Sequence, residues 1–114
     1  MIAVIFESWP EPGKMQRYLD MGAALESRLK DLDGFVSIER FQSVKDPTKL
    51  VALSFWRDED SVNAWRKRSA HRAIQSASRE EVFRDYRLRV AAVIRDYGKF
   101  SREEAPSDSR NEIG

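Results

Sequence analysis

The sequence predicts an α+β fold of the ferredoxin-like, split βαβ kind, a four-stranded antiparallel sheet with its helices on one face. Three observations lead there. β-rich and helix-periodic stretches follow one another as strand, helix, strand, strand, helix, strand. Turn chemistry stands at the joints, at Pro10–Gly13, Asp33-Gly34 and Asp46-Pro47. The 114 residues, 41% of them hydrophobic, suffice for one modest core and not for two.

The first strand is IAVIFESW, residues 2–9, rich in β-branched and aromatic side chains and closed by Pro10. A long amphipathic helix over 14–32 follows, because Met15, Tyr18, Leu19, Gly22, Leu25, Leu29 and Leu32 recur at three- and four-residue intervals before Asp33-Gly34. FVSIERF (35–41) and LVALSFW (50–56) are joined through SVKDPTK and form a hairpin. Asp58, Glu59 and Asp60 suit the first turn of a short helix over about 58–68, and Arg66, Lys67 and Arg68 suit its last, as the helix dipole favours. Ser69 then caps a second short helix, on which His71 and Gln75 share a face beside a stripe of Ala70, Ala73, Ile74 and Ala77. The closing strand spans 82–97, with Tyr86, Leu88, Val90, Ala92 and Ile94 on one side and Arg87, Arg89, Ala91, Val93 and Arg95 on the other. A domain over residues 1–98 and a polar tail over 99–114, mobile or ordered only by a partner, complete the expected organisation.

Composition removes several function classes. There is no cysteine and only one histidine, so disulfides, thiol chemistry and an ordinary zinc site are not expected. Twenty basic and nineteen acidic side chains are interleaved, which leaves no electrostatic footprint for nucleic acid. The longest apolar run, MIAVIF, is far short of the roughly 20 residues that span a bilayer, so no membrane partner is expected and the cytoplasm is the expected compartment. Both sides of the first strand are apolar, Val4 and Phe6 against Ala3 and Ile5, yet no further helix exists to cover the second side. At about 25 cal/mol per Å2, leaving it wet would forfeit several kcal/mol, so a homodimer pairing two sheets face to face is expected. Arginines 87, 89 and 95 on that face would need carboxylates, for which Glu7 and Glu39 are candidates.

The segments MIAVIFESWPEPG, GFVSIERFQS, SFWRDEDSVNAWRKRSAHRAIQ and FRDYRLRVAAVIRDY, in this order over residues 1–98, resemble the antibiotic biosynthesis monooxygenase domain family. The resemblance implies a dimeric α/β barrel with a pocket in each protomer between sheet and helices. It further implies oxidation of anthrone-like polyketides or quinols without a cofactor, or, in one branch, haem binding and degradation. The haem branch resembles an Asn at the end of the first strand, a Trp in the helix after the third strand and a His ten positions beyond it. Trp65 matches the tryptophan, but Gln75 stands ten positions on, His71 only six, and the Asn position falls on Phe6 or Glu7.

Cofactor-free oxidation needs an apolar cavity for an electron-rich phenol or enol and a group that removes its proton, after which the anion reduces O2 directly. His71 suits the base because imidazole titrates near neutrality, and Glu7 is a second candidate. Gln75 or Arg40 would hold the substrate oxygen, and Trp56, Trp65, Phe41, Phe55 and Tyr86 would supply aromatic walls. No metal or cofactor is expected, and the expected partner is a small aromatic molecule. A non-catalytic dimeric domain that binds a small apolar ligand is the alternative. Trp65 also has Val62 three residues before it and suits core packing.

Overall fold

A computed structural model describes residues 1–73 and 82–108, with side chains for all of these except 69–73. Six elements follow in the expected order: β1 (Ile2–Pro10), α1 (Met15–Leu29), β2 (Phe35–Gln42), β3 (Leu50–Trp56), α2 (Glu59–Ala73) and β4 (Phe83–Ala92). The four strands form one antiparallel sheet in the order β2-β3-β1-β4, with β1 paired to β3 on one side and to β4 on the other. This is the ferredoxin-like arrangement.

The pairing register sorts every side chain to a face, because successive residues on a strand point to opposite sides. Ile2, Val4, Phe6 and Ser8 of β1 stand beside Trp56, Ser54, Ala52 and Leu50 of β3. That face carries the helices. Val4, Trp56, Leu29 of α1 and Val62 of α2 form one buried cluster, and Tyr18, Leu50 and Val82 form another against Phe6 and Phe83. Ala3, Ile5 and Glu7 stand beside Phe55, Leu53 and Val51 on the opposite face, which no helix of the described residues covers.

Three differences from the sequence reading exceed a single residue. Helix α1 ends at Leu29 rather than Leu32, and hydrogen bonds from Leu32 N to Leu29 O (3.0 Å) and Phe35 N to Leu32 O (3.2 Å) turn the chain towards β2. Leu32 still packs on the core, so the periodicity was following burial past the end of the helix. The closing strand ends at Ala92, which pairs with Ile2, and Val93 N still donates to Met1 O at 2.9 Å. Most consequential, the two expected short helices are one. Helix α2 runs unbroken through Ser69, which is therefore not an N-cap, and Arg66–Arg68 lie mid-helix rather than in a last turn. No Gly or Pro stands between Asp58 and Ala73, and an interior serine costs a helix only a few tenths of a kcal/mol.

Entry into α2 is fixed by a small polar knot. Asp58 accepts from Ser61 N (2.8 Å) and from the Ser61 hydroxyl (2.6 Å), the geometry of an N-cap. Those bonds, first of all the one from the Ser61 hydroxyl, lower the Asp58 pKa to about 2. Arg57 binds both oxygens of Asp33 at 2.9 and 3.0 Å and reaches Asp58 at 3.0 Å, which raises its own pKa and lowers that of Asp33. Gly34 sits between these groups with φ +84°, and a Cβ there would lie 1.9 Å from Ser61 Oγ. Gly34→Ala is accordingly expected to destabilise the domain by more than about 1 kcal/mol, the cost of left-handed backbone alone, as read from the urea midpoint.

Beyond β4 the chain makes local turns through residue 108. Gly98 N donates to Ser101 O (2.8 Å), Ala105 N donates to Arg102 O (3.1 Å), and Phe100 stands in solvent. No helix of the described residues is long and apolar enough to cross a membrane.

Candidate functional site

Among the described residues the helices lie over β1 and β3 and leave most of β4, at the sheet edge, uncovered. Its helix-facing row of Tyr86, Leu88 and Val90 remains 61%, 49% and 47% exposed although it pairs with the buried side of β1. Between this row and α2 is a cleft of about 160 Å3. Val4, Val62, Trp65, Leu88 and Val90 form its apolar walls, and Glu59, Asn63 and Arg66 line it with polar groups. Glu59, Asn63 and Arg66 fall at positions i, i+4 and i+7 and so share one flank of the helix. An engineered apolar cavity of roughly this size, about 150 Å3, takes up benzene. The cleft has the volume of a single ring but is open to solvent along the half-exposed Leu88–Val90 row, and it carries a carboxylate, an amide and a guanidinium on one flank.

Only some of the expected site residues meet here. Trp65 does, as a wall. Trp56 stands behind it, with ring centroids 5.5 Å apart, but is 1% exposed, stacked edge-on against Phe35 and hydrogen-bonded from Nε1 to Ser54 Oγ at 3.0 Å. It supports the wall without lining the cleft. Tyr86 continues the Leu88–Val90 row and packs on Phe6 and Phe83, with centroids 5.7 and 6.1 Å away. Phe41 and Phe55 belong to the opposite face of the sheet, where Phe41 pairs with Val51 and Phe55 with Ala3. They cannot wall this cleft.

Arg40 is on the helix side but on β2, at the far edge from β4. Three strand spacings separate those edges, about 14 Å. Its guanidinium crosses Gly22 of α1 and binds Glu26 at 3.1 Å, so it joins strand to helix and does not reach a ligand in the cleft. Glu7 also lies on the opposite face, bound by Lys49 Nζ at 2.8 Å and by Arg89. The Lys49 contact above all holds its carboxyl below the usual range. A carboxylate so paired is a weak proton acceptor, and the sheet stands between it and Trp65. The Glu7–Arg89 pairing considered from the sequence does form, within one chain.

His71 belongs to the last turn of α2, with its side chain outside the described residues, and Gln75 lies outside them altogether. The unbroken helix puts position 71 in register with Ala64 and Lys67, seven and four residues before it. Sequence reasoning missed Glu59, Asn63 and Arg66, and the signal for them was their shared helical stripe. The haem-branch pattern is not met by the described residues. Phe6 offers a ring rather than an amide, and Glu7 faces away.

The four-stranded antiparallel sheet with both helices on one face defines a ferredoxin-like α+β domain. The chain belongs to the antibiotic biosynthesis monooxygenase family, which matches residues 1–77. It is 41% identical over 93 residues to the jasmonate monooxygenase ABM of Pyricularia oryzae, a match covering 82% of this chain and 43% of that protein. The chain thus spans less than half of that relative. Among solved structures, Rv0793 from Mycobacterium tuberculosis superposes with a TM-score of 0.72 at 22% identity, over 83% of this chain and 96% of the other. A substituted form of MhuD with two manganese protoporphyrin IX molecules per active site superposes with a TM-score of 0.71 at 17% identity, over 86% and 99%. At such identities these two show the fold alone.

Proposed function

We propose that the chain is a monooxygenase that oxidises a small hydroxylated aromatic, a quinol or anthrone-like compound, held in the cleft between α2 and β4. The observation that carries this reading is the cleft itself, an apolar space for one ring with polar groups on one flank. The family and the monooxygenase named at 41% identity support it. The ring packs between Trp65 and the Leu88–Val90 row, and Asn63 or Arg66 receives its oxygen substituent. Removal of the phenolic proton gives an anion electron-rich enough to reduce O2 without a cofactor, and Glu59, the carboxylate that lines the cleft, is the base for that step, since position 71 lies on the Ala64 flank of α2, away from the cleft. The volume of the cleft favours single-ring quinols over fused anthrones.

The same reading includes a homodimer in the cytoplasm. Ile5, Leu53, Val51 and Phe55 form an apolar centre on the open sheet face, and Glu7 already pairs Lys49 and Arg89 around it. A second copy buries that centre without stranding those charges.

Oxygen uptake tests the activity. With a panel of quinols, anthrones and jasmonate, at least one compound is expected to consume O2 above background, and Glu59→Gln is expected to lower kcat/KM by about 100-fold, within the range of a general base, whereas His71→Ala leaves it within a few-fold. No uptake with any compound would refute the activity for that panel. Uptake undiminished in Glu59→Gln would move the base elsewhere.

A further inference from the structure

Helix α2 has a hollow along each flank. On the β4 side is the cleft already described. On the other side, towards the α1–β2 turn, is a second cavity of about 290 Å3, lined by Leu32, Asp60, Ala64 and Arg68 and bordered by the Arg57–Asp33 pair. The two sets of helical residues alternate as the geometry of a helix requires, Glu59, Asn63 and Arg66 on one flank and Asp60, Ala64 and Arg68 on the other. Trp65 lines both cavities. It projects beneath the helix onto Trp56, where it is partly buried with the core, and so fills the space through which the hollows would otherwise communicate.

We infer that the Trp65 indole is a partition setting the length of ligand the site accepts, and that shortening it joins the two flanks of α2 into one longer site. This rests on the reading of the β4-side cleft as the ligand site. The walls on either side, Leu88 and Val90 at one end and Leu32 at the other, stay in place when the indole is removed. A ligand whose ring occupies the cleft and whose apolar chain extends from it then passes under α2 and emerges beside Ala64 and Arg68. Trp65 is thus a determinant of substrate length, separate from any part in the oxidation. Its removal favours longer members of the same substrate class.

The test is binding, not turnover. Calorimetric titration with a series of 4-alkylphenols, from methyl to hexyl, is carried out on the full chain and on Trp65→Phe and Trp65→Leu, each first checked for folding by circular dichroism. In the unsubstituted protein the affinity is expected to rise over the shortest chains and then level off. In Trp65→Leu it should go on rising by about four-fold per added methylene, the gain for burying each group, with Trp65→Phe levelling off in between. Adding Ala64→Trp to Trp65→Leu refills the second flank and should restore the early plateau, while Ala64→Trp alone leaves the series unchanged.

A plateau at the same chain length in the unsubstituted protein and in whichever Trp65 variant folds would overturn the partition while leaving the ligand site standing. Binding of long phenols only by the Trp65 variants would support the partition and count against the cleft as a site in the unsubstituted protein. No binding by any of the proteins would overturn both.

Discussion

Leu53→Lys is expected to convert the protein from a homodimer into a monomer that keeps its fold. Leu53 stands at the centre of the open sheet face, between Ile5 of β1 and Glu39 of β2. In the isolated chain a lysine there reaches Glu39 on the neighbouring strand and water above the sheet, so the cost to folding is within the roughly 1 kcal/mol span of strand propensities. In a face-to-face dimer the two-fold axis brings two such lysines into one apolar interface. Each then loses its hydration for several kcal/mol, enough to weaken association by about a thousand-fold or more. Sedimentation equilibrium checks this, with twice the 13.2 kDa chain mass expected for the unsubstituted protein and the single mass for the variant. A monomeric unsubstituted protein would remove the dimer from the account.

Trp56→Ala is expected to cost about 3–5 kcal/mol, the range for truncating a large buried aromatic. Its indole is 1% exposed between Phe35 and Trp65, and its N–H satisfies the buried hydroxyl of Ser54. The substitution therefore opens a void and strands a polar group at once. Against a total stability of about 5–15 kcal/mol, the loss should lower Tm by roughly 15 °C or more for a domain of this size. Differential scanning calorimetry reads it directly. A drop of only a few degrees would mean that Phe35 and Trp65 collapse into the space, and that the wall behind the cleft is softer than its packing indicates.

Much of the architecture was legible because strands announce themselves twice, by composition and by the turns that stop them. LVALSFW became β3 residue for residue, and the Pro10–Gly13 and Asp33-Gly34 joints stand where the turn chemistry put them. Helix ends were less legible. Leu32 keeps the helical rhythm because it is buried, not because it is helical, and Ser69 looked like a cap because serine serves both as cap and, at small cost, as interior residue.

Among the described residues, Trp65 is the one site side chain expected from the sequence that lines the cleft beside α2. Grouping Phe55 with Trp56, or Phe41 with the helix-side residues, ignored the two-residue period that puts adjacent strand residues on opposite faces. The position of Arg40 was harder, since its distance from the cleft depends on β2 and β4 being opposite edges of the sheet, a property of topology rather than of local pattern. Glu59, Asn63 and Arg66 went unnoticed because a charged and amide stripe on a helix has the composition of any solvated face. Only the uncovered row of β4 opposite gives that stripe a cleft to line.

Because Leu88 is half exposed on β4 and forms a wall of the cleft, it can be replaced without disturbing the core. Leu88→Arg fills the cleft with a cation. The most direct test of the account is O2 consumption by this variant, with its fold verified, against the best substrate found for the unsubstituted protein. A fall in kcat/KM of about 100-fold or more, equivalent to roughly 2.7 kcal/mol of lost transition-state stabilisation, is expected at unchanged thermal stability. Full activity with the cleft so blocked would contradict it and move the chemistry to another part of the molecule.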